Sequence, residues 1–275
     1  MFESEFEDKL FLRYLRLLGI RRQRPSFEYL KEIVRVHVSK IPFENVSKLF
    51  FKKRLNLKHL IDFELYLDGI EEYRFGGTCY SNNFYLNQLL NWLGYNIKLC
   101  GADMKNPDVH IVNIVKIDNR EFLVDTGYAA PFLEPLPLDL LNDYSINMGN
   151  DRYILKPQNN NDRPQIELYR NGELIHGYRV NPQARNIGEF RQVIEDSFKE
   201  SATFLNALLL TRFDSDLFIT IHNMTIIESH GTVSQKHSID SIDQLASVIY
   251  NRFGIPRTIV LESIEGLQMM KDGWN

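Results

Sequence analysis

Cysteine is scarce in this 275-residue chain: Cys79 and Cys100 are the two present. Two are too few for a disulfide scaffold, and neither has the paired CxxC spacing of a zinc ribbon. Long apolar runs are missing as well. None reaches the roughly 18 residues of a membrane span, and the acidic start MFESEFEDKL lacks the apolar stretch of a secretory signal. There is no excess of positive charge. Lys and Arg total 32 against 36 Asp and Glu, a net charge of −4, which argues against a dominant nucleic-acid surface. No GK[ST] follows the double glycine at 76–77, so it is no Walker loop. His222, His230 and His237 lack zinc spacing. These absences predict a cytoplasmic protein with reduced thiols, no metal, and neither nucleic acid nor membrane as partner.

What is present is an ordinary globular composition, 44% hydrophobic, with 18 Phe and 13 Tyr to build a core and apolar pockets. The length fits one large or two closely packed domains. There are no internal repeats, and the polar run at 159–162 reads as a loop. The clusters Arg21, Arg22, Arg24 and Lys52, Lys53, Arg54 read as solvated helix ends.

Residues 1–95 read as helical. Apolar residues recur at helical spacing through Phe11, Leu12, Leu15, Leu17 and Leu18, with Gly19 as a stop. A second helix is capped by Ser26 and ends before Pro42, and a third follows Cys79 and stops at Gly94. Residues 96–185 read as short strands. Asp118–Asn119 and Asn171–Gly172 supply hairpin turns, and such a strand-rich middle favours a barrel or curled antiparallel sheet. Residues 186–275 mix a helical stripe (Phe190, Val193, Ile194, Phe198), one or two strands in 217–229, and a Ser-capped helix from residue 241. The order is α+β in character.

The segment Gly76-Gly77-Thr78-Cys79 puts a thiol after a double glycine and at the start of an apolar helix. Glycines allow close backbone approach, and a helix N-terminus favours a thiolate. The same residue taken alone also reads as a small buried hydrophobe, and for Cys100, inside an apolar strand, that reading wins. A nucleophilic cysteine needs a base and the base needs an orienter. His110 lies in an otherwise apolar strand. Asp125 ends the next one, although an Asp before Gly127 also suits a turn. Together Cys79, His110 and Asp125 suggest a triad.

With these residues the chain resembles the arylamine N-acetyltransferases, including N-hydroxyarylamine O-acetyltransferase-like members. The resemblance is carried by His37 with Ile41-Pro42-Phe43-Glu44-Asn45, by Gly76-Gly77-Thr78-Cys79 with Asn83, by Val109-His110, and by Leu123-Val124-Asp125-Thr126-Gly127-Tyr128. Glu189-Phe190, Phe204 and Phe253-Gly254-Ile255 match more weakly. The resemblance implies an N-terminal helical bundle (1–95), a central antiparallel β-barrel (96–185) and a C-terminal α/β lid (186–275) around a papain-like Cys–His–Asp core. It implies ping-pong transfer from acetyl-CoA, as co-substrate and with no metal, through an acetyl-cysteine to an arylamine, arylhydroxylamine or arylhydrazine, by a monomer or homodimer. Cys79 is then nucleophile, His110 base and Asp125 orienter. Gly127, Tyr128, Ala129 and Phe204 would touch CoA, and Phe43 and Tyr128 the acceptor.

The chain departs from the family pattern at several positions. Phe75 stands where the family has an Arg that pairs with the glutamate of IPFEN, here Glu44, and Arg74 lies one position early. Ser81 replaces an acidic or amide residue, Ala129 a glycine, and of an SP-x-S-x-F stretch only Phe204 is kept. Two other readings stand beside the acetyltransferase. One is a Cys–His–Asp enzyme with another acyl donor, or of hydrolase or transglutaminase type. The other is a weakly active paralogue that acts as a binding protein.

Overall fold

The computed structural model describes residues 2–158, 163–214 and 216–267, with side chains from residue 5 onward. The expected loop at 159–162 and the last residues of the expected C-terminal lobe, 268–275, lie outside the described residues.

Helices come first: α1 Phe2–Leu18, α2 Phe27–Lys40, α3 Val46–Leu55, α4 Phe63–Tyr73 and α5 Cys79–Leu93. Helix α1 buries Phe11, Tyr14, Leu15 and Leu18, whereas Leu12, expected on the same stripe, is 51% exposed. Gly19 ends α1 at φ +74°, a left-handed conformation that costs glycine little. Ser26 caps α2, its hydroxyl accepting from Tyr29 N at 3.2 Å. Neither α3 nor α4 was singled out in the sequence, although α4 carries an apolar face of Tyr66, Leu67 and Ile70. Residues 46–51 of α3 are all buried, so no polar face alternates with an apolar one. The core of the helical segment joins Tyr14, Leu30, Ile33, Leu86 and Leu89 with Val115 and Val124 from the strands that follow. Each such side chain contributes roughly 1.5–3 kcal/mol on burial.

The middle segment holds β2 Asn96–Asp103, β3 His110–Ile117, β4 Arg120–Val124, β5 Leu136–Pro137, β6 Tyr144–Met148, β7 Asp151–Lys156, β8 Gln165–Arg170 and β9 Glu173–Val180, preceded in the chain by the short β1 Phe43–Glu44. Strands β2 to β9 form one sheet in the order β5-β4-β3-β2-β9-β8-β7-β6, with antiparallel pairing throughout. A barrel or a curled antiparallel sheet was the expectation. Among the described residues β5 and β6 are edges that do not pair with each other, so the sheet is open. Both expected hairpins are present, with Asp118, Asn119, Asn171 and Gly172 all at positive φ, as such two-residue turns require.

The last segment starts with a 3-10 turn, Ile187–Phe190, then α6 Arg191–Asp196 and α7 Thr203–Asn206, strands β10 Leu209–Phe213, β11 Leu217–His222, β12 Thr225–His230 and β13 Val233–Ser238, and helices α8 Ile242–Phe253 and α9 Arg257–Ile264. The expected helical stripe at 190–198 is therefore two short pieces. A second sheet runs β1-β10-β11-β12-β13. Its edge comes from the N-terminal segment, with Phe43 opposite Thr211 and Glu44 opposite Leu210. The core beneath it mixes Val46, Leu49 and Phe50 of α3 with Leu210, Ile221, Leu245 and Val260.

Candidate active site

The loop before α5 is shaped by close backbone approach. A Cβ on Gly76 would lie 1.9 Å from Pro42 O, and one on Gly77 2.0 Å from Ser81 Oγ. Gly77 N donates to Pro42 O (3.3 Å) and Glu44 N donates to Gly77 O (3.1 Å), a bridge that sets Phe43 beside the loop. The buried Glu44 carboxylate accepts from Gly76 N at 3.0 Å and from Ser47 N at 2.9 Å. Burial pushes its pKa up, and these N–H groups oppose the shift. No arginine is needed to satisfy it. Phe75, 1% exposed, instead packs among Phe50, Phe51 and Tyr73, while Arg74 is exposed at the α4 C-cap.

Cys79 opens α5 and is 7% exposed. His110 opens β3, and Asp125 directly follows β4. The β3–β4 pairing, with Asn113 opposite Val124, brings the two to the same end of the hairpin. His110 Nε2 lies 2.8 Å from Asp125 Oδ2. Asp125 is held from every side. Oδ1 accepts from Asn83 Nδ2 (2.7 Å) and Gly127 N (3.0 Å), and Oδ2 also accepts from Tyr178 OH (2.7 Å). Asn83 sits one turn after Cys79 and also donates to Ile111 O (2.6 Å) and accepts from Thr126 N (2.8 Å). It thereby locks the start of α5 to both strands.

The electrostatics follow from this packing. Burial alone would lift the Asp125 pKa, but the His110 charge and the hydrogen bonds of His110, Asn83 and Tyr178 bring it below the ordinary carboxylate value. For His110, burial pulls the pKa down. The Asp125 charge and the charge and hydrogen bond of Cys79 outweigh that and raise it. The imidazole thus has a carboxylate on Nε2 and a sulfur as its other polar neighbour. This is the arrangement of nucleophile, base and orienter that covalent catalysis uses.

Of the other expected site residues, Gly127 packs on Cys79 itself: a Cβ there would lie 2.5 Å from Cys79 Cα. The Tyr128 ring sits 5.7 Å from that of His110 and 4.9 Å from that of Tyr178, and its hydroxyl meets His176 Nδ1 at 2.8 Å. Ala129 O accepts from Tyr153 OH (3.4 Å). Phe43 and Phe204 form an edge-to-face pair, 5.7 Å between rings. Ser81 Oγ turns back to donate to Thr78 O (3.3 Å).

Sequence reasoning missed Tyr178 and Lys48. Tyr178 reaches Asp125 because β9 pairs with β2, Ala102 lying between Val180 and His110. No local pattern signals such long-range pairing. Lys48 is 8% exposed and donates from Nζ to Ser197 Oγ at 2.6 Å. Among the described residues no group of three or more His, Cys, Asp or Glu is arranged to hold a metal ion. No helix among them is long and apolar enough to cross a membrane.

Fold and site together define a mixed α+β protein with a thiol, an imidazole and a carboxylate gathered where a helix start meets a β-hairpin. The chain belongs to the N-acetyltransferase family, whose family model matches residues 26–260. It is 28% identical over 130 residues to the arylamine N-acetyltransferase pineal gland isozyme NAT-3 of Gallus gallus, covering 44% of this chain and 42% of that protein. It is 24% identical over 258 residues to the arylamine N-acetyltransferase of Mycolicibacterium smegmatis, covering 88% and 90%. The structure of Mycobacterium marinum arylamine N-acetyltransferase in complex with CoA shares the fold, with a TM-score of 0.76 at 19% identity over 94% of this chain and 99% of that one. The chain spans less than half the length of several curated relatives that it matches.

Proposed function

We propose that the chain is an arylamine N-acetyltransferase that carries the acetyl group on Cys79. The observation that carries this reading is the His110–Asp125 contact of 2.8 Å beside a cysteine at a helix start. The Cys79 thiolate attacks the thioester carbon of acetyl-CoA. The C–S bond to CoA breaks, and the CoA thiolate leaves with the proton of the His110 imidazolium. An arylamine or arylhydrazine nitrogen, or an arylhydroxylamine oxygen, then attacks S-acetyl-Cys79 and gives its proton to His110, and the Cys79 thiolate departs. Base help of this kind contributes roughly 10²–10⁴-fold. Asp125 holds the ring orientation and stabilises the imidazolium.

CoA enters as co-substrate, a role supported by the CoA-bound neighbour of the same fold. Gly127, Tyr128, Ala129 and Phe204 are the proposed CoA contacts, and Phe43 and Tyr128 the acceptor contacts. Segment 186–275 acts as the lid over the helical and strand segments, 1–95 and 96–185.

Intact mass spectrometry after exposure to acetyl-CoA tests the reading. Native protein is expected to gain one acetyl group, lost on adding an arylamine, and Cys79→Ala none. Native protein without an adduct, or an alanine variant that gains it equally, overturns the reading.

A further inference from the structure

Lys48 brings to the nucleophile a charge that acetyl transfer does not use. Lys48 is 8% exposed; its ammonium donates to Ser197 Oγ at 2.6 Å and lies 4.2 Å from the centre of the Phe198 ring. Among the described residues no carboxylate pairs with it. A desolvated cation without an anion is costly, and such charges are ordinarily paired. Burial pushes the Lys48 pKa down to about 8, and Cys79 is close enough for its charge to oppose that shift. Lys48 lines a cavity together with Ser47, Gly76, Gly77, Thr78 and Ser81, so the cavity abuts the loop that presents Cys79. Its lining is otherwise mostly apolar, which strengthens any ion pair formed inside.

An acetyl group is neutral and offers this ammonium no counter-charge. We infer that Lys48 receives a carboxylate at the far end of the acyl group, so that Cys79 is loaded from the CoA thioester of a short dicarboxylic acid, of which malonyl-CoA is the smallest. The inference rests on the acyl-cysteine reading above. The chemistry balances without a new reactant. The Cys79 thiolate forms a C–S bond to the malonyl carbonyl, and the bond to CoA breaks. CoA leaves with the His110 proton, and the free carboxylate stays ionised against Lys48. The amine then takes the whole acyl group and yields its proton to His110, giving a malonamic acid. Lys48 is a specificity-determining residue in this scheme and takes no part in bond making.

The experiment measures the rates at which malonyl-CoA and acetyl-CoA load Cys79, by intact mass, in native protein, Lys48→Met and Ser197→Ala. Thermal unfolding checks that each variant is folded. Native protein is expected to load malonyl at least as fast as acetyl. In K48M the malonyl-to-acetyl ratio is expected to fall about 10- to 100-fold, the size of a lost charge-assisted hydrogen bond. In S197A, where the ammonium stays, the ratio keeps native-like preference for malonyl. Acetyl loading alone in native protein overturns this inference and leaves the preceding reading standing. So does an equal slowing of both donors in K48M, which would mean that Lys48 acts on the sulfur. A chain that takes neither acyl group overturns both readings.

Discussion

The backbone N–H of Gly76 is held by the Glu44 carboxylate at 3.0 Å, while the other oxygen of that carboxylate takes Ser47 N at 2.9 Å. One buried side chain thus fixes the loop carrying the thiol and the start of α3 to each other. Replacing Glu44 by Leu strands two buried N–H donors. The expected loss is roughly 2–5 kcal/mol, with a milder loss in Glu44→Gln, which keeps one acceptor. Urea unfolding measures it. A Leu variant as stable as native would show that these bonds do not hold the loop.

Phe75→Arg puts back the residue that the family pattern leads one to expect. Because Phe75 packs among Phe50, Phe51 and Tyr73, and Glu44 is already satisfied, the guanidinium has no prepared site. The variant is expected to lose about 3 kcal/mol or more. A rise in melting temperature that vanishes in the double variant with Glu44→Gln would contradict this and reveal a latent Arg–Glu pair.

Tyr178→Phe removes one donor to Asp125 Oδ2 and keeps the ring against Tyr128 and His110. With less support the carboxylate ionises less readily, so Asp125 titrates higher. Acyl-transfer activity is expected to drop roughly tenfold, the size of a hydrogen bond to a charged group, with the acid limb of the kcat/KM profile moved to higher pH. A drop with an unmoved profile points to packing alone.

Gly127→Ala drives a methyl into the α5 start, 2.5 Å from Cys79 Cα and 2.8 Å from Asn83 Nδ2. The backbone must move, and with it the sulfur. A displacement of about 1 Å near reacting groups can cost on the order of 10²-fold. Cys79 acylation by acetyl-CoA is the readout, and a rate within threefold of native would refute the close packing.

Stability should peak in a middle pH range. The His110 pKa is raised in the folded state to about 10, burial being outweighed by Asp125 and Cys79. Its contribution is therefore complete below the unfolded value of about 6.5 and fades as pH rises toward 10. His37 behaves oppositely. Fully buried against Tyr14 OH at 2.7 Å, it has its pKa pushed down by burial to about 3. The unfolded chain then takes up a proton that the fold refuses, and stability declines as pH falls from about 6.5 toward 3. The lowered Asp125 pKa adds to the acid loss below about 4, as pH falls toward the folded value. Unfolding free energy measured from pH 4 to 10 is expected to be highest near pH 6–7. In His37→Asn the decline between pH 6 and 4 should flatten, and an unchanged decline would remove His37 from the account.

How much of this was legible beforehand depended on range. The caps at Ser26 and Ser241, the stops at Gly19 and Gly94 and the two hairpin turns were read correctly because each is set by neighbours in the chain. Helix α3 was missed because its burial comes from distant partners, not from one amphipathic face; α4 was missed although Tyr66, Leu67 and Ile70 form such a face. Leu12 was misplaced because periodicity identifies a stripe without marking its edge. Strand content left a barrel and a curled antiparallel sheet as alternatives, because strand content does not decide whether edges meet.

The sequence alone determined the candidate side chains and the local devices that present them: two glycines before a thiol, a helix start behind it, a histidine on one strand and an aspartate at the end of the next. Tertiary structure decided who touches whom. That Glu44 is satisfied by backbone, that Tyr178 braces Asp125 across two strand pairings, that Gly127 packs on Cys79 and that Lys48 lies buried against Ser197 are all contacts between segments far apart in the chain. Local propensity cannot encode such contacts, because they exist only once a common core fixes the distances between those segments.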